Sequence, residues 1–237
     1  MKSRTDPLLV TAAGVLSLLM VAWTSPGVVD LTQPQQTPIV ISQPGSYRLI
    51  SNLTSSGPED DVIHIAADNV TIDLNGFTIF PGIHAQGIAS TGHSSILIKN
   101  GSLTGGGGIA VGGNSTIRDI NLASASSVLV CGDNCIIDHV LRTPGPEGPN
   151  GGLLPGIECG SNCQIHSVIV AFQGAGLGPP MALSCQAGCL LTDSIFSQGS
   201  VTLGTGSSYA RNTLSGDATF VGGINAGQNV CNGALCP

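Results

Sequence analysis

At 237 residues the chain is long enough for one elongated repeat domain, and its make-up of 9% charged residues, 3% aromatics and 34 glycines is not that of a helical enzyme. The aliphatic residues gather in short β-branched runs, which also excludes a disordered chain. With Lys2, Arg4 and Asp6 assigned to a leader, 5 basic residues face 13 acidic ones, net −8. That balance argues against nucleic acid as a partner, because affinity for phosphate backbones comes from clustered Lys and Arg.

The chain opens with Lys2 and Arg4, an apolar run over 8–23 and Thr24-Ser25-Pro26-Gly27, so residues 1–27 are predicted to be a signal peptide and 28–237 a single domain. An uncleaved anchor is the alternative, although a run of 16 residues is short of the roughly 20 that span a bilayer. The expected location is therefore outside the cell or on its surface, with no membrane contact once the leader is cleaved and with a monomer as the simplest state.

From residue 70 onward a unit recurs: VTIDLNG at 70–76, ILIKNG at 96–101, STIRDI at 115–120, CIIDHV at 135–140, CQIHSV at 163–168, CLLTDS at 189–194 and SYARNT at 208–213. Aligned on the central apolar residue, these copies put Asp73, Lys99, Arg118, Asp138, His166, Thr192 and Arg211 in one column, 19 to 28 residues apart. A variable spacing with a minimum near 19 to 20 fits right-handed coils of three short strands whose turns accept insertions better than it fits a strict hexapeptide solenoid. The expected fold is all-β: a single-stranded right-handed parallel β-helix of about eight coils.

Within such coils like residues stack about 4.8 Å apart. Ile72, Ile98, Ile117, Ile137, Ile165 and Leu191 are predicted to form one internal stack, with Ala210 closing it as the core narrows. The next position holds Asn75, Asn100, Asp119, His139, Ser167, Asp193 and Asn212, read as a structural ladder at a turn that needs left-handed backbone.

The opening stretches Ile41-Ser-Gln-Pro-Gly-Ser-Tyr-Arg-Leu, Asn52-Leu-Thr and Ala67-Asp-Asn-Val-Thr-Ile-Asp-Leu-Asn-Gly-Phe-Thr-Ile resemble the first coils of secreted parallel β-helix repeat proteins of the pectate-lyase-like superfamily. The resemblance is sharpest over residues 41–103. It implies a scaffold rather than one reaction, since that superfamily includes lyases, hydrolases and adhesins.

Eight cysteines follow a pattern: Cys131/Cys135, Cys159/Cys163 and Cys185/Cys189 are C-x-x-x-C at one turn of consecutive coils, and Cys231/Cys236 lie at the end. An even count in a secreted chain points to disulfides. Pairing within each turn is the first expectation, and bridges between coils such as Cys131 to Cys159 are the rival. A thiolate metal ladder fits less well, because zinc and iron–sulfur sites favour C-x-x-C spacing and a reducing compartment; no metal is expected.

The outward column is the candidate ligand-binding surface, carried by Asp73, Lys99, Arg118, Asp138 and His166. Asp73 beside Lys99 and Arg118 beside Asp138 are natural cross-strand pairs, whereas Lys99 beside Arg118 repels unless an anion such as a uronate lies between them. Inserts at 80–87, 143–156 and 173–181, bearing His84 and Glu147, leave from one corner and are expected to wall a groove. For hydrolysis the carboxylate candidates are Asp119 with Asp138 or Asp138 with Glu147. For β-elimination a base from Arg118, Lys99 or Arg142 would need a calcium cluster that the sequence lacks.

Asp60-Asp61 reads as the end of a loop, and the glycines at 105–108 and 112 as turns rather than a phosphate cradle. The expected function is a non-catalytic scaffold or binding protein whose ligand is an acidic polysaccharide, with no cofactor. The alternative is a polysaccharide lyase or glycoside hydrolase, for which calcium would be the cofactor.

Overall fold

The computed structural model describes residues 27–90, 92–123, 128–143, 156–172 and 180–236. Among them are 24 strands and no helix, joined into one continuous array that is parallel except for a terminal hairpin. The protein is a parallel β-helix.

One coil shows how the sequence produces it. Ile109–Val111 forms a leading strand; Gly112 and Gly113 turn the chain; and the strand Thr116–Ala123 bends at Asp119, so that residues 116–118 lie in a middle sheet and 120–123 in a trailing sheet. Asp119 bends the strand because its φ is +56°, a left-handed value that a short polar side chain tolerates. The alternation of aliphatic and polar residues then sends Ile109, Val111, Ile117, Ile120 and Leu122 inward.

Register repeats this coil along the axis. The leading sheet runs from Ile39–Ile41 through Ile63–Ile65, Ile88–Ser90, Ile109–Val111, Leu129–Cys131, Ile157–Cys159 and Met181–Cys185 to residues 200–203 and 219–222, giving nine rungs. In the middle sheet Ile72, Ile98, Ile117, Ile137, Ile165 and Leu191 stack in direct register, each fully buried. Such a column stabilises each rung through its neighbours, at roughly 1.5–3 kcal/mol per fully buried side chain.

The end of that column departs from expectation by one residue. Leu191 pairs with Tyr209 and Thr192 with Ala210, so Tyr209 fills the internal slot and stacks on Phe220 with ring centroids 3.9 Å apart. Ser207, not Ser208, occupies the place of Cys189, and a buried aromatic rather than an alanine fills the core slot. Consequently Arg211 leaves the outward column and takes the left-handed corner, with φ +57°, after Asn75, Asn100, Asp119, His139, Ser167 and Asp193. Asn212 is buried instead.

The insert at 80–87 also differs from expectation. It lies flat between the loops of adjoining coils: His84 N–H donates to the Pro58 carbonyl, Gln86 N–H to Asp61 Oδ1, and Gly108 N–H to Gln86 Oε1. Gly106 permits this because a Cβ there would strike the Gly82 carbonyl. The loop is a rung of the stack rather than the wall of a groove. The inserts at 143–156 and 173–181, with Glu147, fall outside the described residues except at their ends, as does the segment 1–27 except for Gly27.

Three disulfides close within their own coils, Cys131–Cys135, Cys159–Cys163 and Cys185–Cys189, with Cα separations of 6.3, 6.5 and 6.5 Å. A fourth, Cys231–Cys236, ties the antiparallel hairpin of Val230–Cys231 with Ala234–Leu235 across the end of the trailing sheet. Four disulfides fit an oxidising environment. Among the described residues no helix is long and apolar enough to cross a membrane.

Candidate functional site

The outward row of the middle sheet brings the predicted residues together. In register it reads Asp30, Arg48, Asp73, Lys99, Arg118, Asp138, His166, Thr192 and Ala210, one residue per rung. The adjoining left-handed corner adds Asp119, His139, Asp193 and Arg211. Strand alternation points the first set away from the core, and the bend at each corner splays the second set beside it. Every Lys and Arg of the described residues lies on this strip except Arg142.

The cations on the strip are held by carboxylates. Arg48 donates from Nε and Nη2 to Asp30 Oδ1 at 3.0 and 2.7 Å, and Lys99 Nζ lies 3.1 Å from Asp73 Oδ2. Burial alone would raise the Asp73 carboxyl, but the Asn75 N–H, Lys99 and the Asn100 amide together hold it below the usual carboxylate range. Arg118 does not reach across the rung to Asp138 as expected. Its Nη1 turns back to Asp119 Oδ2 at 2.7 Å, and Asp138 Oδ1 instead meets His139 Nδ1 at 2.8 Å. The following residue at a bend is simply nearer than the one across the rung.

Farther along, His166 Nδ1 lies 2.7 Å from Thr192 Oγ1. Arg211 binds both oxygens of Asp193 at 2.7 Å, which lowers the Asp193 pKa and raises that of Arg211.

Three other candidates fall away from the strip. Arg142 faces inward at 1% exposure, with its guanidinium carbon 4.3 Å from the Phe172 ring centroid and Nη1 donating to the Ala171 carbonyl. Burial pushes its pKa down to about 10. Despite that lower value, a base shielded from solvent under Phe172 does not face a surface-bound chain, so the expectation of Arg142 as a lyase base is corrected. His84 is exposed on the flat insert, away from the row. Asp60 and Asp61 accept from Ser56 Oγ and the Gln86 N–H, in keeping with their reading as a loop end.

Sequence reasoning missed Asp30 and Arg48 because the repeat was counted from residue 70. The signal was present: Arg48 follows Tyr47 as Asp73 follows Ile72, and Tyr47 pairs with Ile72.

Chemically, the strip is a line of ion pairs at rung spacing. Its two cations on adjacent rungs, Lys99 and Arg118, are each engaged by one carboxylate among the described residues. No family model, no curated protein and no solved structure matches the chain.

Proposed function

We propose that this protein is a secreted, non-catalytic β-helix scaffold of the pectate-lyase-like superfamily, delivered by a signal peptide, whose middle-sheet strip binds an acidic polysaccharide. The observation that carries the reading is the adjacency of Lys99 and Arg118 within a strip that gathers all the basic side chains of the described residues other than Arg142. Carboxylates along a uronate chain would compete with Asp73 and Asp119 for these cations, each exchange replacing one charge-assisted hydrogen bond by another while the displaced carboxylate returns to water. An exchange of that kind is weak per contact and gains strength by repetition along an extended ligand.

The test is binding of the purified protein to polygalacturonate and to a neutral glucan at low and raised salt, comparing wild type with the Lys99→Ala/Arg118→Ala variant. The expected result is salt-sensitive retention on the acidic polymer alone, lost in the variant. The same incubations, with and without calcium, are followed for reducing ends and unsaturated products. Turnover abolished by Arg118→Ala would overturn the scaffold reading in favour of a lyase or hydrolase, and equal binding by both proteins would overturn the site.

A further inference from the structure

The three stacked disulfides make a column of six sulfur atoms inside the helix, with every cysteine at most 5% exposed. Register sets Cys131, Cys159 and Cys185 one above another. The partner column runs from Cys135 through Cys163 to Cys189, each directly preceding residues paired in the middle sheet.

Sulfur atoms therefore approach between coils as well as within them: those of Cys135, Cys159 and Cys163 lie within 4.8 Å of one another, as do those of Cys163, Cys185 and Cys189. One backbone carbonyl of the leading corner faces all three sulfurs of the second triad, and another faces two of the three in the first. Gly160 O lies 3.1, 3.5 and 3.8 Å from the sulfurs of Cys185, Cys189 and Cys163, and Gly132 O lies 3.5 and 3.9 Å from those of Cys163 and Cys159.

We propose that the reduced form of this ladder is a two-ion binding site for a divalent thiophilic metal, zinc or cadmium. Each ion would take three thiolates and one glycine carbonyl, with Cys163 bridging the two. Zinc–sulfur bonds of 2.3 Å and zinc–oxygen bonds near 2.1 Å place tetrahedral ligands about 3.8 Å apart for two sulfurs and about 3.6 Å apart for sulfur and oxygen. The carbonyl contacts of 3.1 to 3.9 Å bracket the second value. Sulfurs of neighbouring disulfides need to close by no more than about 1 Å, while the two sulfurs freed from one disulfide need to part from a bond length of about 2 Å to about 3.8 Å.

Charge selects the divalent ion. Five thiolates exceed two divalent cations by a single charge, whereas two monovalent ions would leave three negative charges in a dry core with no cation beside them. The oxidised form binds nothing, because disulfide sulfurs are not thiolate ligands.

The switch balances as follows. Each disulfide takes two electrons and two protons from two molecules of an external thiol, which leave joined as their own disulfide. The metal ions then displace the protons of Cys135, Cys159, Cys163, Cys185 and Cys189, and Cys131 keeps its proton.

The experiment titrates the full chain with cadmium under nitrogen, before and after phosphine reduction, reading sulfur-to-cadmium charge-transfer absorption and bound metal per chain. The reduced protein is expected to bind two ions and the oxidised protein none. Cys163→Ser should abolish both, while Cys131→Ser and the Cys231→Ser/Cys236→Ser pair should keep both. Absence of the absorption after reduction, or equal losses in Cys131→Ser and Cys163→Ser, overturns the site, since a merely unfolded thiol-rich chain would not distinguish them. Should Cys163→Ser lose its strand signal in circular dichroism, amide exchange of reduced wild type decides. Zinc must slow exchange over residues 131–189 and leave 39–90 unchanged; uniform or absent protection overturns the proposal.

Discussion

The two ends of the β-helix build the same rung from different materials. In the N-terminal half the positions flanking the corner between leading and middle sheets are mostly aliphatic, with Ile65, Val70, Ile96 and Val111 buried and Ser90 and Ser115 interspersed. In the C-terminal half three cysteine pairs take those positions, and beyond them come buried Ser207, Asn212 and Asn229. Buried Ser115 and Ser207 stand at the two ends of the sulfur column, their hydroxyls accepting the N–H groups of Ile96 and Cys189. The lesson is that a stacked fold specifies its columns, not its chemistry: any residue that satisfies the rung above and below is admitted, and covalent or hydrogen-bonded links replace aliphatic volume where that volume runs short.

Three variants sharpen the contrast, in order of expected effect. Ile117→Ala opens a cavity between Ile98 and Ile137 and should cost about 2–5 kcal/mol in denaturant unfolding. A loss under about 1 kcal/mol would show that the neighbouring rungs collapse into the space and that close stacking of the column is not needed. Opening one corner disulfide, by Cys159→Ser/Cys163→Ser, should cost roughly 2 kcal/mol, since a short loop constrains the unfolded chain modestly. An unchanged midpoint would show that the corner is held without it. Asn229→Ala should cost about 1–3 kcal/mol because it orphans buried groups: Asn229 Oδ1 accepts the Asn212 N–H and amide at 2.9 and 3.0 Å, and its own amide donates to Asn225 Oδ1 at 2.7 Å. Thermal melts of this variant should lose the C-terminal rungs first, read by amide exchange.

Much of this was legible in the sequence, for a physical reason. Rung spacing forces like residues to superpose, so the stack from Ile72 to Leu191 and the outward row from Asp73 to Thr192 follow from aligning short motifs. The same logic failed at Ser208, where an aromatic residue in the core slot hid the register; tyrosine in an internal column looks polar until its neighbour Phe220 is in place. Side-chain partners were less legible than columns. Register places Arg118 opposite Asp138, but a left-handed corner brings Asp119 closer, and only three-dimensional geometry shows that preference. The flat insert at 80–87 was unreadable because glycines that allow loops to stack look the same as glycines that let loops project.

The smallest expected effect separates the halves by their charges. Asp73 and Asp193 both have folded pKa values below the ordinary carboxylate value. Each therefore contributes stability that is fully present above about pH 3.9 and is lost as pH falls through the lower folded value. Between pH 7 and pH 5 no change is expected from either. Below about pH 4 the urea midpoint should fall, and Asp73→Asn or Asp193→Asn should each flatten that fall.

Salt distinguishes the two. Asp193 is solvent-exposed and owes its shift first to Arg211, so raised ionic strength should erase its share. Asp73 accepts from the Asn75 N–H at 2.9 Å and the Asn100 amide at 3.1 Å beside Lys99, contacts that salt does not screen. The acid slope that survives high salt should shrink in Asp73→Asn and not in Asp193→Asn, the remainder being carried by groups such as Asp68, which accepts the Ser94 N–H. A slope that vanished equally in both variants would mean that the two halves of the strip are held by the same long-range charge rather than by local partners.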